Sequence, residues 1–141
     1  MNIPKPCDVL VMGCGLAGMA TALSLPTQWR VCVLSKDRAD ACATAWAQGG
    51  IAAVLDKSDS VAAHVPVTLI AGAGQCDAAV VQAVLAAAPA AITWLRQHGV
   101  CFDEDNTGAL HLTREGGHSA RRIAHVADHT GAAVHAALLH A

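Results

Sequence analysis

Three glycines near the start of the chain have the spacing of a dinucleotide-binding turn. The segment GCGLAG, residues 13–18, follows a short apolar run and precedes a helical pattern. In such a turn the first glycine permits a tight bend, the second lets the backbone approach a pyrophosphate, and the third lets the helix pack closely on the strand. The helix N-terminus adds free N–H groups and a partial positive charge. Because the glycines lie between a predicted strand and a predicted helix, we expect them to bind a dinucleotide.

The ribose-binding position of such a unit differs from the usual pattern. An Asp or Glu is usual about 20 residues after the glycine turn, whereas this chain has Ser35 and Lys36 at the end of the second apolar run. The serine hydroxyl can still bind a ribose. The lysine can contact a phosphate or the adenosine, or it can lie on a solvated surface. This departure argues against an ordinary NAD-dependent dehydrogenase.

Two further segments combine polar side chains with paired glycines. Residues 44–53, TAWAQGGIAA, would let the backbone contact a flat ligand, with Thr44 and Gln48 as polar groups, although taken alone the segment is more typical of an ordinary loop with helix-like flanks. Residues 111–122, HLTREGGHSARR, place acid, base, hydroxyl and imidazole groups around a Gly-Gly hinge. That density suits a loop that binds a small anionic substrate, and a solvated turn is the alternative.

His125 and His129 are four residues apart, which on a helix could bind a metal. The residues between them lack the glutamate of a zinc-protease pattern. We therefore interpret them as ordinary polar histidines and predict no metal site.

The elements that must position these residues begin with a β-α-β unit. Apolar runs at residues 8–12 and 30–34 predict buried strands, and residues 16–25 between them predict a helix. Strands joined in this way are parallel, with a right-handed crossover. The fold class predicted is therefore α/β, a Rossmann-like domain with a parallel sheet.

The rest of the chain predicts mainly helices. One begins at the Ser58-Asp59-Ser60 cluster and runs to about Ile70. A second runs from an N-cap at Asp77 to His98, is ended by Gly99, and is kinked or split by Pro89. Residues 109–113 predict a strand, and Thr130 is predicted to cap a last helix. Because a third parallel strand would follow such a helix, we expect the sheet to be incomplete at the C-terminus.

Composition excludes several classes of protein. The 141 residues include 9 Lys and Arg against 11 Asp and Glu, a net charge of −2, which argues against a nucleic-acid binder. With 54% hydrophobic and 14% charged residues the chain is not disordered, and its length suits one domain. Gln82 and Pro89 interrupt the longest apolar stretch, so we expect no membrane span. No secretory signal pattern and no CxxC pair are seen, so we expect a cytoplasmic protein with reduced thiols.

Taken together, the motifs resemble the L-aspartate oxidase family, which is related to the flavoprotein subunits of succinate dehydrogenase and fumarate reductase. The resembling blocks are DVLVMGCGLAG, VCVLSK, AWAQGGIAAV, VTLIAGAGQCD and HLTREGGHSARRIAH, which extend from Asp8 to the end. Of these, AQGGIAAV and HLTREGGHS are the specific ones. The resemblance implies an FAD-dependent oxidation of L-aspartate to iminoaspartate in de novo NAD biosynthesis, with dioxygen or fumarate as acceptor and quinolinate synthase as a partner.

The resemblance also implies a role for individual residues. It places the FAD pyrophosphate at Gly13, Cys14, Gly15, Leu16, Ala17 and Gly18, and the adenosine end at Ser35 and Lys36. It places the flavin near Ala43, Thr44, Ala45, Trp46, Ala47, Gln48, Gly49 and Gly50. Glu115 matches the glutamate that orients the ammonium group of the substrate. Relatives with covalent FAD have a histidine where this chain has Ala43, so non-covalent FAD is implied.

The family's catalytic arginine and its histidine and threonine substrate ligands lie beyond residue 141. We therefore expect residues 1–141 to be the N-terminal part of an FAD-binding domain, without the family's mobile capping domain and helical C-terminal domain. Such a chain has no catalytic residue of its own and would be inactive alone.

Two alternatives remain open. One is a fragment of a fumarate reductase or succinate dehydrogenase flavoprotein, although a carboxylate at Glu115 suits an amino group better than a second carboxylate. The other is a nucleotide-binding domain without catalytic activity.

Overall fold

The computed structural model describes residues 6–141, and its elements follow one another in a mixed α and β order. They are β1 (Val9–Met12), α1 (Leu16–Ser24), β2 (Val31–Leu34), α2 (Ala43–Trp46), β3 (Ile51–Ala52), α3 (Val61–Ala71), α4 (Ala78–Gln97), β4 (Ile123–Ala124) and α5 (Thr130–His140). The core is formed where α1, α4 and α5 meet the segments around β3 and β4, and its buried members include Met19, Ile92, Phe102, Val134 and Leu138.

The predicted β-α-β unit is confirmed, but the prediction that its strands are buried is wrong, because Leu10, Met12 and Leu34 are more than half exposed. β1 and β2 pair in parallel, with Val9 opposite Val31 and Met12 opposite Leu34. One more hydrogen bond, from the Gly13 N–H to the Leu34 carbonyl oxygen at 2.8 Å, continues the pairing into the glycine turn. The turn is therefore fixed to the ends of both strands.

A second, antiparallel pair joins β3 to β4, with Ile51 opposite Ala124 and Ala52 opposite Ile123. The predicted strand at residues 109–113 is wrong. Leu110 forms an isolated bridge with Glu104, and Thr113 forms another with Ile123. Because the two residues pair with different segments, no continuous ladder forms, and a sequence pattern alone carries no information about such distant partners.

The cap of α3 lies within the predicted Ser58-Asp59-Ser60 cluster, and the cap of α4 is the predicted Asp77. The Ser60 hydroxyl accepts from the Ala63 N–H at 3.1 Å, and the Asp77 carboxylate accepts from Ala79 and Val80 at 2.8 and 3.0 Å. Gly99, just beyond α4, has φ of +89°, which favours glycine. Pro89 does not split α4, which is continuous over 20 residues. Alanines at 86–88 and 90–91 surround this proline, and their strong helix propensity offsets the one lost hydrogen bond.

By length and composition α4 could cross a membrane, since its 18-residue window has a mean hydropathy of 1.8. The interruptions at Gln82 and Pro89 therefore do not rule this helix out as a span. Core helices of globular proteins satisfy the same criterion, and Leu85, Ile92 and Leu95 of α4 are buried in the core.

The last helix begins one residue earlier than a cap at Thr130 requires. Its N-cap residue is His129, and Thr130 is its first helical residue. The Thr130 hydroxyl instead accepts from the Val126 N–H at 2.9 Å and closes the preceding turn. The predicted cap is thus wrong, because the hydroxyl satisfies a backbone group outside the helix.

Candidate functional site

The glycine turn has a different constraint at each glycine. Gly13 has φ of +112°, in the region that side chains disfavour. Gly15 is the N-cap residue of α1, with φ of −73° and ψ of −179°. At Gly18 a Cβ would overlap the carbonyl oxygen of Gly13, so only glycine lets α1 lie this close to the turn. The first and third glycines therefore shape the backbone, and the second lies at the open end of the helix.

Thr44, in α2, closes one side of that helix end. Its hydroxyl accepts from the Leu16 N–H at 3.0 Å, and a Cβ built on Gly15 would lie 3.3 Å from the same oxygen. The first N–H groups of an α-helix have no acceptor within the helix. Thr44 satisfies one of them, and the others of this turn can serve an anionic group.

Two adjoining cavities lie along the turn. One, of about 800 Å³, lies at the ends of β1 and β2 and is lined by Met12, Gly13, Cys14, Gly15, Leu34, Ser35, Lys36, Ala41, Cys42, Ala43 and Thr44. The other, of about 660 Å³, follows the first turn of α1 and is lined by Met12, Gly13, Gly15, Leu16, Ala17, Gly18 and Thr44. The structure thus brings together the glycine turn, the Ser35-Lys36 pair and the first part of the 43–50 loop. Met12, Leu34, Ala41 and Cys42 were not identified from the sequence, although each lies within two residues of a predicted site position.

Polar groups in and beside the lining of the first cavity contact one another. Cys14 is buried, and its Sγ lies 3.2 Å from the Ser35 hydroxyl and 3.3 Å from the Ala39 carbonyl oxygen. The Ser35 hydroxyl also accepts from the Asp37 N–H at 3.4 Å. Lys36 is exposed beside it. Ser35 is therefore held in place, whereas Lys36 is free to extend over the cavity.

The second part of the 43–50 loop leaves the cavity. None of the residues that follow Thr44 lines either cavity: Ala45, Trp46, Ala47, Gln48, Gly49 and Gly50. The Trp46 side chain is 79% exposed. A Cβ at Gly50 would collide with Ile123 and with the Ala124 carbonyl oxygen, so this glycine permits close packing on β4.

Glu115 lies next to this second part of the loop. A Cβ built on Gly49 would lie 4.0 Å from Glu115 Oε2. The Glu115 side chain is exposed, in a turn closed by a 3.2 Å hydrogen bond from the His118 N–H to the Glu115 carbonyl oxygen. Gly117 within it has φ of +85°. Two motifs more than sixty residues apart in sequence therefore meet through Gly49 and Glu115.

A buried ion pair holds the base of the Glu115 turn. Arg122 is fully buried and donates to both carboxylate oxygens of Asp59 at 2.7 Å. The guanidinium also lies 3.3 Å from the Ser119 hydroxyl, to which it donates. This pairing lowers the pKa of Asp59. The pair could not be predicted from the sequence pattern, because its partners are 63 residues apart.

Two histidines lie beside that ion pair. The rings of His64 and His118 are 5.4 Å apart, and His64 is 2% exposed. Burial lowers the pKa of His64, and the nearby Arg122 and His118 lower it further. Within residues 6–141 the buried atoms His64 Nδ1, His118 Nδ1 and Arg122 Nη1 have no hydrogen-bond partner.

His125 and His129 do not share a helix, because α5 begins at Thr130. His125 Nδ1 lies 3.2 Å from a carboxylate oxygen of Asp103, and its Nε2 lies 3.2 Å from His111 Nδ1. His129 lies 3.4 Å from the carboxylate of Asp128. In the part of the chain that the structure describes, no group of three metal-ligating side chains is found.

A strand, a glycine turn and a helix N-terminus beside a long cavity define a nucleotide-binding flavoprotein fold, with α and β elements and a small parallel sheet. The chain belongs to the FAD binding domain family, which it matches over residues 8–141. The site fits the cofactor: Gly13 and Gly18 permit the tight turn, and the Gly15 backbone lines both cavities. FAD is accordingly the cofactor of this domain.

Relatives with known names are similar over almost the whole chain. L-aspartate oxidase of Neisseria meningitidis is 54% identical over 133 residues, which is 94% of this chain and 26% of the relative. L-aspartate oxidase of Pseudomonas aeruginosa is 49% identical over 139 residues, again 94% of this chain and 26% of the relative. The chain therefore spans about a quarter of the length of these bacterial enzymes.

Solved structures with the same fold include a fumarate reductase chain and an Sdh1 complex. A variant of E. coli quinol fumarate reductase FrdA superposes with a TM-score of 0.87 at 28% identity, covering 95% of this chain and 23% of that one. The Mycobacterium smegmatis Sdh1 complex gives a TM-score of 0.81 at 29% identity, covering 94% and 23%.

Proposed function

We propose that this chain is the N-terminal part of the FAD-binding domain of an L-aspartate oxidase. The reaction would oxidise L-aspartate to iminoaspartate, with dioxygen or fumarate as electron acceptor. The observation that carries the proposal is the position of the Glu115 carboxylate beside Gly49, at the end of the loop that begins in the cofactor cavity. The names of the most similar relatives support it.

In this proposal the glycine turn holds the pyrophosphate of FAD in a Rossmann-like unit. The free N–H groups at the start of α1 would donate to phosphate oxygens. The adenosine end would lie near Ser35 and Lys36, at the far end of the larger cavity. The flavin would lie along the 43–50 loop. FAD would be held without a covalent bond, since Ala43 offers no side-chain nucleophile where covalent relatives have histidine.

Glu115 would orient the substrate. When bound, the flavin supplies the acceptor for a hydride equivalent from the substrate carbon. A carboxylate beside an ammonium gains a charge-assisted hydrogen bond, which fixes the carbon relative to the cofactor loop. Asp59 and Arg122 would keep the Glu115 turn in place from below, because their ion pair anchors its base.

The groups that bind the two carboxylates of aspartate would come from the rest of the protein. The relatives are about four times as long as this chain, and we propose that a capping domain and a helical C-terminal domain follow. We further propose a cytoplasmic location and quinolinate synthase as the partner that takes up the product.

Replacement of Glu115 by glutamine in the whole protein tests this proposal. Glu115→Gln keeps the shape and removes the charge, so the KM for L-aspartate should rise at least about ten-fold, the equivalent of a charged hydrogen bond of about 1.5–3 kcal/mol. Binding of fumarate or succinate, which lack the amine, should change little. Glu104→Gln, at an exposed carboxylate paired with Arg96, is the matched control. Equal losses for aspartate and the dicarboxylates would contradict the role of Glu115.

A second candidate function is supported by the superposition on the fumarate reductase and Sdh1 structures. In that case the substrate would be a dicarboxylate without an amino group, and Glu115 would repel rather than attract it. Succinate oxidation by the purified protein, with no turnover of L-aspartate, would favour this alternative.

A further inference from the structure

The last helix contacts the glycine turn directly. His135 of α5 is 4% exposed, and its Nε2 lies 3.0 Å from the carbonyl oxygen of Cys14. The two residues are 121 positions apart in sequence. A carbonyl oxygen can only accept, so Nε2 must carry a proton and donate it.

This hydrogen bond fixes the peptide between Cys14 and Gly15. In a trans peptide the C=O and N–H groups point in opposite directions. The bond that draws the Cys14 oxygen towards α5 therefore directs the Gly15 N–H away from α5. Gly15 lines both cavities along the turn and is the N-cap residue of α1, so its N–H is one of the groups that have no acceptor within the helix.

A second contact ties α5 to the other wall of the cavity. The Gly131 N–H donates to the Ala47 carbonyl oxygen at 2.9 Å. A Cβ at Gly131 would overlap the Thr44 carbonyl oxygen, so α5 and α2 pack backbone to backbone. One helix thus holds both the glycine turn and the segment whose Thr44 hydroxyl caps α1.

We propose that His135 is a positioning residue for the phosphate site, acting through the Cys14–Gly15 peptide. The proposal rests on the placement of the FAD pyrophosphate at the turn. His135 touches neither cofactor nor substrate in this role. It orients the peptide before FAD binds, so that the free-energy cost of ordering the peptide is not part of the binding step.

Titration of the flavin-free protein with FAD tests the proposal. His135→Leu removes the donor and should weaken FAD binding about five-fold or more, the loss expected for one hydrogen bond. His135→Gln can still donate from its side-chain amide and should stay within about two-fold of the wild type. Val134→Ala, at a neighbouring core position of α5, controls for loss of packing: its melting temperature should fall while its FAD affinity stays unchanged.

The wild-type protein offers an independent measurement. ¹⁵N NMR of the histidine ring should show the proton of His135 on Nε2 in the flavin-free state. A bare Nε2 would contradict the proposal, even if the leucine variant did not fold. Wild-type affinity in His135→Leu, or equal losses in the leucine and glutamine variants, would also overturn it. Failure of the wild type to bind FAD would instead refute the cofactor placement, which separates the two claims.

Discussion

Gly15 and Gly18 lie three residues apart in the same turn, yet a methyl group would have opposite consequences at the two positions. At Gly18 it would overlap the backbone of Gly13, whereas at Gly15 the nearest atom is the Thr44 hydroxyl at 3.3 Å. Gly18→Ala should therefore disrupt the packing of α1 on the turn and lower the melting temperature. Gly15→Ala should fold nearly as well as the wild type, because only the Thr44 side chain has to shift slightly, and it should weaken FAD binding, because we propose that a phosphate approaches this backbone.

Thermal melting and FAD titration of the two variants separate these effects. Ala22→Gly, in the same helix but in the lining of neither cavity, is a control for helix propensity. A stable Gly18→Ala variant would contradict the packing role of that glycine. Full FAD affinity in Gly15→Ala would contradict the phosphate site.

The glycine turn could be predicted from the sequence because its determinants are local. Strand, turn and helix lie within residues 8–25, and each glycine has a requirement set by its immediate neighbours. The contacts of Glu115 with Gly49, and of His135 with Cys14, could not be predicted. They depend on how distant segments pack, and the type of a residue does not identify its partner in the fold.

Among the elements, α3 and the segment of residues 113–123 make contacts that the sequence did not predict. Asp59, next to the N-cap of α3, pairs with Arg122, and His64 within α3 packs beside His118. The start of α3 was predicted from its cap, since Ser60 shows its capping role in the sequence. The ion pair could not be predicted from the sequence, because a charged residue in a sequence looks the same whether it is solvated or buried.

The burial of His64 beside Arg122 and His118 should make the free energy of unfolding depend on pH. The pKa of His64 is lowered in the folded protein by burial and by Arg122 and His118, against an opposing effect of Asp59. The unfolded chain therefore binds a proton at His64 at a higher pH than the folded protein does. Between the ordinary histidine pKa of about 6.5 and the lowered folded value, the free energy of unfolding should decrease as the pH falls. Asp59, whose pKa is lowered by Arg122, should add a further loss only below about pH 4.

Urea unfolding at a series of pH values measures this dependence. His64→Gln, which cannot titrate, should remove the part of the slope that begins near the ordinary histidine pKa. His140→Gln, at an exposed position at the end of α5, should leave the slope as it is. An unchanged slope in His64→Gln would show that the pKa of this histidine does not differ between the folded and unfolded states.

On the scale of the whole molecule, β1 and β2 present apolar side chains on one face. Leu10, Met12 and Leu34 are 54%, 81% and 55% exposed. Parallel sheets are usually covered on both faces. The relatives are about four times as long as this chain. The proposed remainder of the domain would therefore be long enough to cover this apolar face. The sequence predicted the parallel pair, whereas the third parallel strand expected after the last helix stays a prediction.

The central claim is that this chain helps to oxidise L-aspartate through a bound flavin, and anaerobic reduction of the flavin measures it most directly. The whole flavin-loaded protein, mixed with L-aspartate in the absence of oxygen, should lose its visible flavin absorbance, whereas succinate should leave the absorbance unchanged. The difference would arise because only aspartate carries the ammonium group that we propose Glu115 binds. Bleaching by succinate but not by L-aspartate would contradict the proposed function and assign the chain to a dicarboxylate-oxidising flavoprotein.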